Sequence, residues 1–150
     1  MNSRMTPAAF PSASLTDDAL RRHWRGRAVY TILQTGYSAA FLQAWAALCE
    51  QADDADAADT PQRLHYLLID AAPPTAQQLR ATAPASMNAL ADELANAWPP
   101  LTPGYHRLLL GQGRVMLTLI IGDVAASLAQ ADARVDLFLL HDDAVWNAQQ

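Results

Sequence analysis

The sequence predicts an α/β fold organised around a mostly parallel sheet. Leu64 to Ile69 is a continuous apolar run with the character of a strand covered on both faces, and Val29 to Gln34 reads as another buried strand. Each is followed by a stretch with helical periodicity, and this alternation is the pattern of parallel β-α-β units. Thirdly, 150 residues that are 51% apolar can close one hydrophobic core and hold little material for a second. No internal repeat is visible.

The chain opens with a Pro-, Ser- and Ala-rich lead. Ser14 and Thr16 offer N-caps for a short helix in which Asp17/Arg21 and Asp18/Arg22 stand at i,i+4 spacing, and Gly26 ends it. Residues 1–28 are therefore read as an N-terminal segment with a short helix, and residues 29–150 as the main domain. Val29 to Gln34 forms the first strand. Phe41, Leu42, Trp45, Leu48 and Cys49 then share one helical face. Asp53, Asp54, Asp56 and Asp59 lie in a connection too poor in apolar residues to bury, up to Pro61.

Leu64 to Ile69 is the second strand, closed by Asp70. Pro73 and Pro74 stop it, Thr75 caps a short helix, and Met87, Leu90, Ala91, Leu94 and Trp98 mark a longer helix ended by Pro99 and Pro100. His106 to Leu110 and Arg114 to Ile121 flank Gly111-Gln112-Gly113, a connection suited to a β-hairpin inserted in the parallel sheet. A short helix over about 124–130 and a strand from Val135 to Leu140 complete the series. On this reading the last strand is an exposed apolar edge, a route to self-association or partner pairing through residues 135–140.

Composition removes several function classes. All ten basic residues are arginine, so a Schiff-base lysine and a P-loop lysine are excluded. The single cysteine, Cys49, rules out an internal disulfide and a cysteine-rich zinc site, and its apolar helical setting predicts a packing role. His23, His65 and His106 show no ligand-like spacing, so no metal site is expected. The net charge of −5 opposes nonspecific attraction to phosphate backbones. Arg21, Arg22, Arg25 and Arg27 form the one basic cluster, suited either to tRNA phosphates or to a helix C-terminus. Residues 1–14 lack the continuous apolar core of a signal peptide and no run approaches the ~18 apolar residues of a membrane span, so a cytoplasmic protein without membrane contact is expected.

Three points could carry chemistry. Thr35-Gly36-Tyr37-Ser38-Ala39-Ala40 joins a buried strand to an apolar helix through one glycine, which is how a nucleotide-type site begins at a helix N-terminus. Asp70 and Gly122-Asp123 stand at strand ends, where parallel sheets bind ligands and where acids also cap the following turn or helix.

From about Tyr30 to Asn147 the chain resembles the methyltransferase domain of the MnmC family, bifunctional bacterial proteins that complete 5-methylaminomethyl-2-thiouridine at the tRNA wobble position. The likeness is densest in Leu90-Ala91-Asp92-Glu93-Leu94-Ala95-Asn96-Ala97-Trp98-Pro99, Leu101-Thr102-Pro103-Gly104-Tyr105-His106-Arg107-Leu108, Gly113-Arg114-Val115 and Gly122-Asp123. It implies a partial class I S-adenosylmethionine methyltransferase fold, Rossmann-like, lacking the last strands. It also implies methyl transfer from S-adenosylmethionine to the exocyclic aminomethyl nitrogen of a wobble uridine splayed out of its stack, a reaction that rests on near-attack positioning. The family domain is commonly fused to an FAD-dependent oxidoreductase; within these 150 residues no FAD domain is expected.

By the same resemblance Gly36, Asp70, Gly122 and Asp123 are the cofactor-binding residues, with Asp70 toward the ribose hydroxyls and Asp123 near the adenine amino group. The family's glycine loop reads roughly Thr-Gly-Phe-Gly-Thr-Gly, two residues, then Phe-Leu. Here two glycines and two positions are missing between Thr35 and Phe41, and Gln34 replaces the acid that normally precedes the loop. The substrate-side segment Asp-Gly-Phe-Ala-Pro is replaced by His141-Asp142-Asp143-Ala144-Val145, leaving His141 or Asp142 as the candidate catalytic base. Two functions follow as expectations: a wobble-uridine methyltransferase with impaired or lost catalysis, or a non-catalytic interaction module.

Overall fold

The structure, a computed structural model, describes residues 8–11, 16–52, 60–130 and 134–140. In chain order its elements are β1 (Ala8–Pro11), α1 (Asp17–Trp24), β2 (Val29–Thr35), α2 (Ala40–Ala52), β3 (Arg63–Asp70) and α3 (Ala76–Thr82). There follow α4 (Asn88–Ala97), β4 (Gly104–Leu110), β5 (Val115–Ile121), α5 (Val124–Gln130) and β6 (Leu137–Leu140). The strands form one sheet in the order β1-β6-β2-β3-β5-β4, with β4 antiparallel to β5 and every other pair parallel. The α/β class, the parallel sheet and the hairpin insertion follow the sequence.

Residue chemistry accounts for the local starts and stops. The Thr16 hydroxyl accepts the Ala19 N–H and caps α1. Thr75 and Gln78 form a reciprocal capping box on α3. The hairpin turn places Gly111, Gln112 and Gly113 all at positive φ, which explains the two glycines. The Asp17/Arg21 pairing expected along α1 is not what forms: Arg21 bridges to Glu50, and Asp17 accepts from the Gln43 side chain. Both bonds tie α1 to α2.

Two layers of unequal depth cover the sheet. On one face α1, α2 and α4 bury Leu20, Trp24, Phe41, Leu42, Trp45, Leu48 and Leu94 against Tyr30, Ile32, Leu64, Tyr66, Leu68, Leu117 and Leu119. Burial of this apolar area, at roughly 25 cal/mol per Å², is the main stabilising contribution. On the other face a smaller cluster joins Leu33, Ile69 and Ile120 to Val124 and Leu128 of α5. The division follows from handedness. The sheet grows from β2 through β3 to β5 with its helices on one face, and the return to β6 on the far side of β2 then places α5 on the opposite face.

Three expectations are corrected. Residues 135–140 are not a free edge, because β6 is hydrogen-bonded to β2 on one side and to β1 on the other. The sequence predicts no strand before Val29, yet β1 is there; its four residues are too short for their own pattern to announce, and pairing with β6 defines it. Cys49 is exposed rather than packed in the core, since it lies at the margin of the buried stripe of α2. The acidic connection at 53–59 lies outside the described residues.

Candidate functional site

In a parallel sheet, ligands bind beyond the carboxyl ends of the strands at the point where strand order reverses. Here that point lies between β2 and β6, because the chain leaves β2 toward β3 and later returns to β6 on the other side. Gly36 follows β2, Asp70 ends β3 and Gly122-Asp123 follows β5. The structure brings these residues together: the Gly36 N–H donates to the Ile69 carbonyl at 2.8 Å, and the Gly122 N–H donates to the Asp70 carbonyl at 3.2 Å. His141 and Asp142 lie outside the described residues.

Gly36 has φ +78°, the left-handed turn that a side chain would strain. The turn is then closed from within. Asp70 accepts the Tyr37 N–H on Oδ2 at 2.9 Å and the Ala72 N–H on Oδ1 at 2.9 Å. The Ser38 hydroxyl accepts the Ala40 N–H, and the Ser38 carbonyl accepts the Phe41 N–H at 3.5 Å. Thus the N–H groups of Gly36, Tyr37, Ala40 and Phe41 all find partners inside the protein. A phosphate- or nucleoside-binding loop needs such groups turned toward the ligand.

Gln34 fills the place below this turn. Its side chain is fully buried, its Nε2 donates to the Gly36 carbonyl at 2.8 Å and to the Ser38 hydroxyl at 3.0 Å, and its Oε1 accepts from the Tyr66 hydroxyl. Burial, with a smaller contribution from Tyr37, pushes the Tyr66 phenol well above the ordinary tyrosine range. Tyr37 packs edge-on against Trp98 with ring centroids 6.4 Å apart, and burial pushes its phenol up to about 12. Trp98 is held in turn by its indole N–H on the Pro74 carbonyl at 2.8 Å.

Asp123 serves the fold in a similar way, since its Oδ2 accepts the Ala126 N–H at 2.8 Å and caps α5. The four expected cofactor residues therefore share one corner, where the Gly36 and Gly122 N–H groups, the Asp70 carboxylate and Asp123 Oδ2 each have a partner within the chain.

Sequence reasoning missed the Gln34, Ser38 and Tyr66 network. A signal was present: a glutamine near the end of an otherwise apolar buried strand needs a buried partner. Among the described residues no helix is long and apolar enough to cross a membrane, and no group of three His, Cys, Asp or Glu could hold a metal ion.

No family model matches the chain. Similar proteins are nevertheless found, each called tRNA 5-methylaminomethyl-2-thiouridine biosynthesis bifunctional protein MnmC. The protein from Paraburkholderia phytofirmans is 39% identical over 133 residues, covering 84% of this chain and 19% of its own length. That from Paraburkholderia phymatum is 40% identical over 133 residues with the same coverage, and that from Azoarcus is 40% identical over 131 residues, covering 84% and 20%. The chain thus spans about a fifth of the length of the curated relatives it matches.

Proposed function

We infer, for a chain homologous to a segment of the MnmC proteins, that it is a methyltransferase-like unit of tRNA wobble-uridine modification whose grip on S-adenosylmethionine is impaired. The relatives supply the reaction and the substrate class. The closed turn after β2 supplies the impairment, and one observation carries it: Asp70 and the Gln34 side chain spend their hydrogen bonds on the residue 36–40 turn and its neighbours. A glycine-rich loop would leave such groups to a ligand.

On this reading the parallel sheet and its strand-end acids are inherited, while the positioning that in-line methyl transfer depends on is lost. Opening the turn would require breaking the bonds of Gly36, Tyr37 and Ser38 together. Each contributes about 0.5–1.5 kcal/mol net, enough in sum to weaken nucleoside binding by orders of magnitude. The tRNA substrate and a cytoplasmic setting belong to the same proposal.

The test is a titration of the purified protein with S-adenosylmethionine and its demethylated product, followed by amide resonances of Gly36, Tyr37 and Asp70. The expected result is no saturation below millimolar concentration and no methyl transfer to tRNA carrying the 5-aminomethyl group. Micromolar saturation together with turnover would overturn the impairment.

A further inference from the structure

We propose that the face of the sheet opposite α2 carries a binding groove for a small organic anion, a carboxylate or phosphate on a short apolar body. Strand register builds it. Thr31 of β2, His65 of β3 and Met116 of β5 lie side by side in one cross-strand row. The row above it contains Leu67, Thr118 and Arg107 in register. These side chains point away from the main core, because their neighbours Ile32, Tyr66 and Leu117 point into it.

Within the described residues, α5 covers the part of this face near Leu33, Ile69 and Ile120. The lower part is open as a groove of about 390 Å³, with Arg134 completing its wall. That size suits a small ligand.

The chemistry of the groove selects a negative charge. His65 is half-buried, and its Nε2 is sealed from solvent with no hydrogen-bond partner among the described residues, an arrangement that is costly. Arg107 and Arg134 are exposed at the rim, and neither has an ionic partner among the described residues. Two unpaired guanidinium groups on one groove stand out in a protein of net charge −5. Asp136 is already committed to Arg27 and to the Thr31 N–H.

A bound carboxylate or phosphate would accept from either guanidinium, whose paired N–H groups match both headgroups. The Thr31 and Thr118 hydroxyls add donors, while Met116 and Leu67 offer apolar contact to the body of the ligand. The groove is distinct from the corner formed by Gly36, Asp70 and Asp123, so each site can stand or fall alone.

The experiment is an amide-resonance titration of the full chain with inorganic phosphate and, separately, with butyrate, at ionic strength held constant with chloride. The proposal expects saturable shifts at Thr31, His65 and Thr118 with at least one probe, and the stronger probe identifies the headgroup. Arg107→Gln and Arg134→Gln, both surface changes, should each weaken binding by about tenfold, corresponding to loss of one charge-assisted hydrogen bond. Absence of saturable shifts with both probes overturns it, as does binding unchanged in the double variant. Shifts of Leu109 and Met116 that depend on protein concentration without any probe would assign the face to a second copy of the chain, and would also overturn it.

Discussion

The Asp70 carboxylate accepts the Tyr37 backbone N–H at 2.9 Å, so the end of β3 holds closed the turn that leaves β2. The same carboxylate steadies its own following turn through the Ala72 N–H. An acid that could have faced a ligand is thereby made a structural clasp between two adjacent strand ends.

Replacing Asp70 by Ala removes both acceptors and should lower stability by about 1–2 kcal/mol. Asp70→Asn keeps one carbonyl acceptor and should lose about half as much. Denaturant unfolding midpoints measure both. Equal losses in the two variants would mean that the two N–H bonds are not the source.

Gln34 and Tyr66 should behave as a coupled pair. Tyr66→Phe leaves the buried Gln34 oxygen without its donor, and Gln34→Ala leaves the buried hydroxyl without its acceptor. Each is expected to cost about 1–3 kcal/mol. In a double-mutant cycle the combined loss should fall short of the sum by about 0.5–3 kcal/mol. Simple additivity would count against the bond.

Alkaline pH should destabilise the fold. Burial raises the phenols of Tyr37, to about 12, and of Tyr66; Tyr30 is raised by burial first and by Asp136, with Arg27 opposing. Above about pH 10 the unfolded tyrosines lose protons while the folded ones keep them. Stability is therefore fully present below that value and declines as pH rises toward the folded-state values. The check is the unfolding midpoint as a function of pH, and Tyr37→Phe should make the decline shallower.

The hairpin turn offers a graded test of space against backbone strain. Both Gly111 and Gly113 have positive φ, but a Cβ on Gly111 would lie 3.0 Å from Trp45 Nε1, whereas one on Gly113 meets nothing within 4 Å. Gly113→Ala should cost about 1 kcal/mol from conformation alone. Gly111→Ala should cost about 1–3 kcal/mol more, because the Trp45 ring must shift in a filled core. Thermal unfolding of the two variants ranks them.

Much of the frame was legible because its signals are local. Val29 to Gln34 and Leu64 to Ile69 are apolar enough to read as strands of one sheet, Thr16 and Thr75 cap helices by their own hydroxyls, and Gly111 to Gly113 can turn a hairpin unaided. That Gly36, Asp70, Gly122 and Asp123 share one corner was also legible, since strand ends of one parallel sheet must converge. The capping bonds of Asp123 to Ala126 and of Asp70 to Ala72 are local, whereas the bond of Asp70 to the Tyr37 N–H was not readable, because only the approach of β2 and β3 fixes that partner. β1 and the flanking of β6 were missed for the same reason.

What the sequence alone determined is therefore the helices and strands other than β1 and their order, dictated by hydrophobic period and turn chemistry within a few residues. Only the tertiary structure decided how polar groups far apart in the chain were spent: Asp70 on Tyr37, Gln34 on Tyr66, and His65 Nε2 on no partner among the described residues. Backbone pairing sets those distances to within a bond length, and no local pattern encodes a distance between residues thirty positions apart.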